Sequence, residues 1–120
     1  MMKYGIVIFP PKEVQDFANS YRKRYDPQYN LIPPHITVRS RQHFTQEQTE
    51  EIVALLEKAA EQTSPFDVHL NRFSTFYPAN NVIYIAMADT SPLVQLHDLV
   101  CQGILKDESS YTYTPHITIG

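Results

Sequence analysis

Two copies of one tetrapeptide carry the residues of this sequence that are best suited to chemistry. Pro34-His35-Ile36-Thr37 is followed by Val38, and Pro115-His116-Ile117-Thr118 is followed by Ile119. In an extended strand, successive side chains point to opposite faces, so each histidine shares a face with the threonine two positions later. Each copy is therefore predicted to be a strand with one apolar face in the core and an imidazole beside a hydroxyl on the other face.

Two histidines on opposite sides of one phosphate could divide acid and base work. An unperturbed imidazole titrates near pH 6.5, so it can act in either protonation state near neutrality. One histidine would deprotonate the attacking water or hydroxyl, and the other would protonate the departing oxygen, each from roughly 3 Å away. We expect His35 and His116 to be catalytic, with no metal and no other cofactor. The sequence leaves open which of them is the acid.

The other polar residues of the two motifs are candidates for binding the phosphate. Thr37 and Thr118 could donate hydrogen bonds to its non-bridging oxygens as negative charge develops there. Arg39 has the same parity as Thr37, so in a regular strand its guanidinium would enter the same cleft and could bind phosphate. The alternative for Arg39 and Arg41 is a solvated, charged face.

A single histidine in a strand is more often a satisfied or exposed side chain than a catalyst. The repetition argues against that interpretation here, because a purely structural account leaves the joint recurrence of proline, histidine and threonine unexplained. His43, His69 and His97 lack this support and are interpreted as structural or solvated. His97 and Cys101 have a helical spacing that could hold zinc, but two ligands do not make a structural zinc site. We therefore expect no metal.

The rest of the chain predicts elements that would position the two motifs. Apolar runs and turn residues predict strands over 4–9, 66–70 and 82–88, with a bulge near Asn71-Arg72. Apolar residues at helical spacing predict three helices: one from Pro11 to Asp26, one from a capping box at Thr45-Gln46-Glu47-Gln48 to Ser64-Pro65, and one from Ser91-Pro92 that ends within 106–110.

These elements repeat in order. Tyr4 to Val38 and Val82 to Ile119 share one plan: apolar strand, proline near a helix start, amphipathic helix, connector and histidine strand. A pseudo-twofold arrangement of the two halves would bring the histidine strands together around one cleft. The first half continues beyond its motif with a helix and further strands. We therefore expect the corresponding elements of the second half to be missing, or to be supplied by a second copy of the chain.

Composition sets the broad class of the protein. The 120 residues fit a single domain over 1–120, and a net charge of −3 argues against binding long duplex nucleic acid by counterion release. No apolar run approaches 18 residues, so we expect no membrane span, and the short N-terminal apolar stretch does not resemble a signal peptide. One cysteine cannot form an internal disulfide. We expect a cytoplasmic protein, monomeric or dimeric by exchange of strands.

The two motifs, His35-Ile36-Thr37-Val38 and His116-Ile117-Thr118-Ile119, resemble the signature of the 2H phosphoesterase superfamily. The opening Tyr4 to Pro10 and the stretch Tyr21 to His35 are similar to its bacterial YjcG-like branch. The resemblance implies a bilobal α+β fold of the LigT-like type, with antiparallel sheets lining a cleft and helices outside. It also implies metal-independent action on 2′,3′-cyclic or 2′,5′-linked phosphodiesters in RNA ends and nucleotides. Because family members usually continue past the second motif, it implies a truncated second lobe.

Two classes of function remain open at this point. The first is a phosphodiesterase that opens a cyclic phosphate or an RNA-end diester with His35 and His116. The second is a binding module that holds a phosphorylated RNA end or a nucleotide in the same cleft without turning it over. The same residues would serve both functions, so only product analysis separates them.

Overall fold

The computed structural model describes residues 2–109 and 112–120. Residues 110 and 111, which the sequence analysis placed at the end of the third helix region and in the connector to the second motif, lie outside the described residues. The described part contains five strands, three α-helices and one 3₁₀ helix. Their order is β1 (Met2–Ile8), α1 (Lys12–Tyr25), β2 (Ile36–Phe44), α2 (Gln48–Glu61), β3 (Leu70–Thr75), β4 (Ile83–Met87), α3 (Ser91–Val100), the 3₁₀ helix (Gly103–Leu105) and β5 (Ile117–Thr118).

The strands form one open sheet in the order β1-β2-β5-β4-β3, and every neighbouring pair is antiparallel. The predicted α+β class is confirmed. Where two sheets around a cleft were expected, the described strands of both halves join directly, because β2 hydrogen-bonds to β5 through the pair Ile36 and Ile117. The two histidine strands are therefore neighbours near the middle of the sheet.

The register reproduces the internal repeat. In the first half, Val7 lies opposite Thr37 and Ile8 lies opposite Ile36. In the second half, Tyr84 lies opposite Thr118 and Ile85 lies opposite Ile117. The units β1-α1-β2 and β4-α3-β5 thus have the same strand pairing, and they meet at the β2–β5 contact as the two halves of an approximate twofold arrangement.

All three helices cover one face of the sheet. The isoleucines of both motifs, Ile36 and Ile117, are buried there beside Ala18 of α1 and Leu93 of α3. A second cluster on the same face joins β2 to the other helices, with members Val38, Phe44, Ile52, Ala59, Val100 and Leu105. Burying one face against helices leaves the opposite face, which carries the histidines, open to solvent.

Local sequence signals explain where the helices begin. Pro11 occupies the N-cap position of α1, which starts at Lys12. The predicted capping box is present: the Gln48 amide donates to the Thr45 hydroxyl at 3.2 Å, and the Thr45 amide donates to the Gln48 side chain at 2.8 Å. These reciprocal bonds close the turn over 45–48 that leads into α2, whose N-cap residue, Glu47, makes no side-chain hydrogen bond of its own.

Two predicted elements are displaced. Residues 66–69 precede β3, which starts at Leu70, and the expected bulge lies between Leu70 and Arg72 in the pairing of β3 with β4. The third helix ends at Val100 instead of continuing to the 106–110 region, and a 3₁₀ turn at Gly103 with φ 56° follows it. Glycine tolerates that positive φ without a steric penalty, so the chain can turn there. None of the helices in residues 2–109 and 112–120 has the length and apolar character needed to cross a membrane.

Candidate active site

The pairing of Ile36 with Ile117 determines how the two motifs face each other. Because antiparallel neighbours run in opposite directions, His35 lies opposite Thr118, and Thr37 lies opposite His116. The isoleucines are buried on the helical side, so these four polar side chains project from the open side, where each is partly exposed. The structure therefore brings together the four motif residues that the sequence proposed.

Both imidazoles are held in the same way. Nδ1 of His35 lies 2.9 Å from the carbonyl oxygen of Pro33, and Nδ1 of His116 lies 2.6 Å from the carbonyl oxygen of Thr114. In each half the acceptor is the residue two positions before the histidine. This arrangement repeats across the two halves and was not predicted from the sequence.

A backbone carbonyl can only accept a hydrogen bond, so Nδ1 must carry the proton in both rings. In the neutral imidazole, Nε2 then has a free lone pair and can act as a base. In the imidazolium, the same Nε2 carries a proton and can act as an acid. Each histidine is thereby held in the tautomer that presents Nε2 for proton transfer.

The surroundings of the two imidazoles differ. The His116 ring makes edge contacts with Phe76 and Tyr84, at centroid distances of 5.1 and 5.2 Å. His35 has an edge contact with Phe9 at 6.5 Å, and Phe9 is itself exposed. Burial lowers the pKa of His116, the hydrogen bond to Thr114 opposes that shift, and the nearby charge of His35 adds to it. The neutral form of His116 is therefore favoured.

The threonine hydroxyls are available to a ligand. Thr37 and Thr118 are half-buried on the open face. Within residues 2–109 and 112–120, neither hydroxyl makes a hydrogen bond to the protein. Each can therefore donate its proton to an oxygen placed between the two histidines.

The strand does not alternate regularly beyond Thr37. Val7 pairs with Thr37, but its neighbour in β1, Ile6, pairs with Arg39. Val38 is therefore an extra residue in β2 at this point. This β-bulge buries Val38 and Arg39 together. The prediction that Arg39 shares the orientation of His35 and Thr37 rested on regular alternation, and the bulge removes that basis.

The guanidinium of Arg39 is occupied by the protein. A guanidinium has five N–H donors, and this one makes four hydrogen bonds, to the carbonyl oxygens of Leu105, Lys106 and Ser40 and to the side-chain oxygen of Gln42. Arg39 is 4% exposed. Its use as a phosphate ligand is thus a prediction that the geometry disfavours, because most of its donors are already satisfied.

A groove of about 630 Å³ extends from the first motif along β1 and β2. His35, Thr37 and Arg39 line one part of it, and Arg41 lines the groove together with Gln28. Arg41 is exposed, and its side-chain stem lies 3.0 Å from the position that a Cβ on Gly5 would occupy. The charge pattern of the sequence predicted a solvated face for Arg41. Its place in the groove was missed because the bulge that interrupts the alternation of β2 could not be predicted from the sequence.

Tyr113 joins the second motif to the first. Its hydroxyl donates to the carbonyl of Thr37 at 2.6 Å, and its ring stacks on His97 with centroids 4.0 Å apart. Nδ1 of His97 lies 2.6 Å from the carbonyl of Val38. Burial raises the pKa of Tyr113 to about 12, so its hydroxyl stays a donor at neutral pH. These contacts agree with the structural alternative of the two interpretations given for His97.

Cys101 is unsuited to nucleophilic chemistry at neutral pH. Its sulfur lies 3.5 Å from Nδ1 of His97, and burial raises the pKa of the thiol to about 11. The thiolate is the reactive form of cysteine, and it is scarce here. Among the described residues, no group of three or more His, Cys, Asp or Glu side chains is arranged to hold a metal ion.

The fold and the site together define a class of protein: an α+β domain built from two similar halves, with one histidine strand from each half meeting on an open sheet face. Such a pair of imidazoles is suited to acid–base chemistry at a single reacting group. Comparison with known proteins leads to the same class.

Residues 10–120 match the model of the 2′-5′ RNA ligase superfamily. A protein of Geobacillus sp. (strain WCH70) is 49% identical over 119 residues, which cover 99% of this chain and 69% of the relative. Proteins of Bacillus licheniformis and Bacillus anthracis are 45% and 46% identical, over 98% and 99% of this chain and 70% and 69% of their own length. All three bear the name "Putative phosphoesterase". The chain belongs to the 2′-5′ RNA ligase superfamily, the group of 2H phosphoesterases that its two motifs resemble.

Proposed function

We propose that the protein is a metal-independent phosphoesterase that hydrolyses 2′,3′-cyclic phosphates, or related phosphodiesters of RNA ends and nucleotides, by acid–base catalysis with His35 and His116. Membership of a phosphoesterase superfamily supports the reaction class. The observation that carries the proposed mechanism is the matched anchoring of both imidazoles through Nδ1, which leaves Nε2 without a hydrogen bond from the described residues in each ring. Two such groups supply both of the proton transfers that hydrolysis of a diester requires.

In the proposed reaction, His116 is the base. Its aromatic surroundings and lowered pKa favour the neutral ring, whose Nε2 takes a proton from the attacking water. The water oxygen forms a bond to phosphorus while the bond from phosphorus to one ribose oxygen breaks. His35, as the imidazolium, donates the Nε2 proton to that departing oxygen. The product is a phosphomonoester, and the two histidines exchange their protonation states.

Thr37 and Thr118 lie beside the histidines, and their hydroxyls make no hydrogen bond to the part of the chain that the structure describes. We therefore assign them to the non-bridging phosphate oxygens, where charge increases in the transition state. Arg41 replaces Arg39 as the cation that supports binding, because it is exposed in the groove next to His35. Arg41 would interact with phosphates beyond the one that reacts. No resident cofactor is part of the proposal.

A binding module is the second candidate. The partly exposed position of both histidines and the groove beside His35 would also suit a domain that holds a phosphorylated nucleotide without hydrolysing it. The lowered pKa of His116 favours catalysis, since binding of a phosphate is served by N–H donors on both rings, whereas hydrolysis needs one neutral ring as the base.

The experiment that separates the two functions measures binding and product in parallel. The protein is incubated with 2′,3′-cyclic nucleotides and with oligoribonucleotides that end in a cyclic phosphate, in the presence of a chelator, and products are resolved by chromatography. Phosphomonoester formation that resists the chelator supports the phosphoesterase. Saturable binding of the same compounds without product would make the binding module the correct function.

A further inference from the structure

Each candidate catalytic histidine depends on a carbonyl that lies in a connector and not in the sheet. The first connector, residues 26–35, leads from α1 into β2 and contains Pro33, whose carbonyl binds His35. The second leads into β5, and its described residues 112–116 contain Thr114, whose carbonyl binds His116. Irregular segments are more mobile than the sheet that they join, so the orientation of each imidazole requires that its connector be fixed.

Arg22 fixes the first connector. It is 1% exposed, and its guanidinium donates to the carbonyl of Ile32 at 2.6 Å and to that of Gln28 at 3.4 Å. Asp26 and Asn19 accept its other hydrogen bonds at 2.9 and 2.8 Å. Ile32 immediately precedes Pro33, so the buried cation holds the peptide next to the one that orients His35.

Burying the positive charge of Arg22 this completely carries a large desolvation cost. A single ion pair with Asp26 offsets that cost poorly. The acidic partner of Arg22, Asp26, is one residue past the end of α1 and begins the connector. Both the ion pair and the two carbonyl contacts of Arg22 therefore act on the segment that ends at His35. An apolar residue at this position could fill the core but could not hold these polar groups.

Tyr113 fixes the second connector in a different way. Its hydroxyl is bonded to the carbonyl of Thr37, and its ring stacks on His97, so both ends of the side chain are held. Thr114, which orients His116, is the next residue. Because the acceptor belongs to the first motif, this contact also sets the position of the second histidine relative to the first.

We infer that Arg22 and Tyr113 are positioning residues of this site, each fixing the backbone carbonyl that sets the tautomer and direction of one histidine: Arg22 acts on His35 and Tyr113 acts on His116. Neither residue touches the reacting atoms. The inference rests on the proposed function for its effect on rate, but its effect on the imidazoles does not depend on turnover.

The test uses Arg22→Lys and Tyr113→Phe. Lysine keeps a positive charge beside Asp26 but has no fork of donors for the carbonyls. Phenylalanine keeps the stack on His97 and removes only the hydroxyl. The matched controls are Arg24→Lys, on the exposed side of the same helical turn, and Tyr21→Phe, in α1, where the ring packs against the core between helices and sheet.

Two measurements are made on each variant: the ¹⁵N shifts of both imidazoles, which report the tautomer, and kcat and KM for a 2′,3′-cyclic nucleotide. We expect Arg22→Lys to disturb the Nδ1–H tautomer of His35 and not that of His116, and Tyr113→Phe to do the reverse. Because misplacement of a catalytic group lowers the rate more than binding, kcat should fall roughly tenfold or more, with KM changed less than about twofold. Both control variants should match wild type.

Unchanged tautomers in both variants would overturn the inference. Equal disturbance of both histidines in either variant would also overturn it, because a general loss of protein stability would affect both rings alike. If Arg22→Lys does not fold, Tyr113→Phe still decides the question for His116. If wild type shows no turnover, the proposed function fails, while the residue-specific change of tautomer would still confirm the positioning roles.

Discussion

Ile36 of β2 pairs with Ile117 of β5 at the point in the sheet where the two halves of the protein meet. The isoleucines themselves are buried and chemically inert. Their pairing nevertheless fixes the register of β2 against β5. A slip of one residue would turn the motif histidine of one strand toward the core. The site therefore depends on apolar packing between the two halves as directly as on its polar residues.

The lowered pKa of His116 predicts how the protein responds to pH. In an NMR titration, His116 should titrate below about 6.5, the ordinary value for histidine. If His116 is the base, the acid side of the profile of kcat/KM should report this pKa, and the His116→Ala variant should lose that dependence. An acid limb that persists unchanged in His116→Ala would assign it to another group.

The same shift links His116 to stability. Between its folded and unfolded pKa values, the unfolded chain binds more protons than the folded one, so stability rises with pH across that range. The contribution of His116 is therefore intact above about pH 6.5 and is lost as the pH falls toward the folded pKa. Denaturant unfolding at several pH values should show a smaller loss on acidification in His116→Ala than in wild type. An identical loss in both would contradict the shift.

The threonines should contribute to rate more than to binding. Valine has the shape of threonine without the donor, so Thr37→Val and Thr118→Val should each lower kcat by about tenfold to a hundredfold, with little change in KM. Thr63→Val, at the end of α2, is the matched control, because Thr63 donates to the carbonyl of Ala59 far from the open face. Steady-state kinetics decide the point, and wild-type kcat in both site variants would remove the threonines from the mechanism.

Arg41 should select substrates by length. Arg41→Gln should raise KM for oligoribonucleotides that end in a cyclic phosphate while leaving KM for a cyclic mononucleotide unchanged. The salt dependence of oligonucleotide binding should become shallower by about 0.7 per lost phosphate contact. Arg72→Gln, on the edge strand β3, serves as the control. Equal effects of Arg41→Gln on short and long substrates would place Arg41 at the reacting phosphate instead.

The sequence was sufficient to predict the parts of the fold that depend on local signals. The alternation within each motif predicted which side chains share a face, and the capping box at Thr45 predicted the start of α2. The internal repeat predicted that two equivalent strands would meet. Each of these signals involves residues near one another in the chain or copies of one pattern.

The features that could not be predicted arise from contacts between distant segments. The bulge at Val38 and Arg39 follows from how β2 pairs with β1, and no glycine or proline in β2 signals it. Two of the three carbonyls that bind Arg39, those of Leu105 and Lys106, are more than sixty residues away in the chain. The contact of Tyr113 with Thr37 likewise joins the two halves. Because Tyr113 is one of several tyrosines in the sequence, nothing local to it indicated this role.

The capping box offers a test of the fold that is independent of the site. Thr45→Ala removes one of the two reciprocal bonds at the start of α2 and should lower the free energy of unfolding by about 1 kcal/mol. Because α2 covers the face opposite the histidines, kcat should not change. The two quantities are measured by denaturant unfolding and by kinetics on the same preparation. A fall in kcat without loss of stability would mean that α2 communicates with the site.

In the proposed mechanism, His35 and His116 act together on one phosphodiester. The most direct measurement is the rate of phosphomonoester formation from a 2′,3′-cyclic nucleotide by wild type, His35→Ala, His116→Ala and the control His69→Ala, whose side chain is exposed next to β3. The mechanism predicts that each single site variant loses at least a hundredfold in rate. A variant with both histidines replaced should lose little more than either single variant, because the two residues act as a unit. The control should keep the wild-type rate. Wild-type turnover in either site variant would contradict the account.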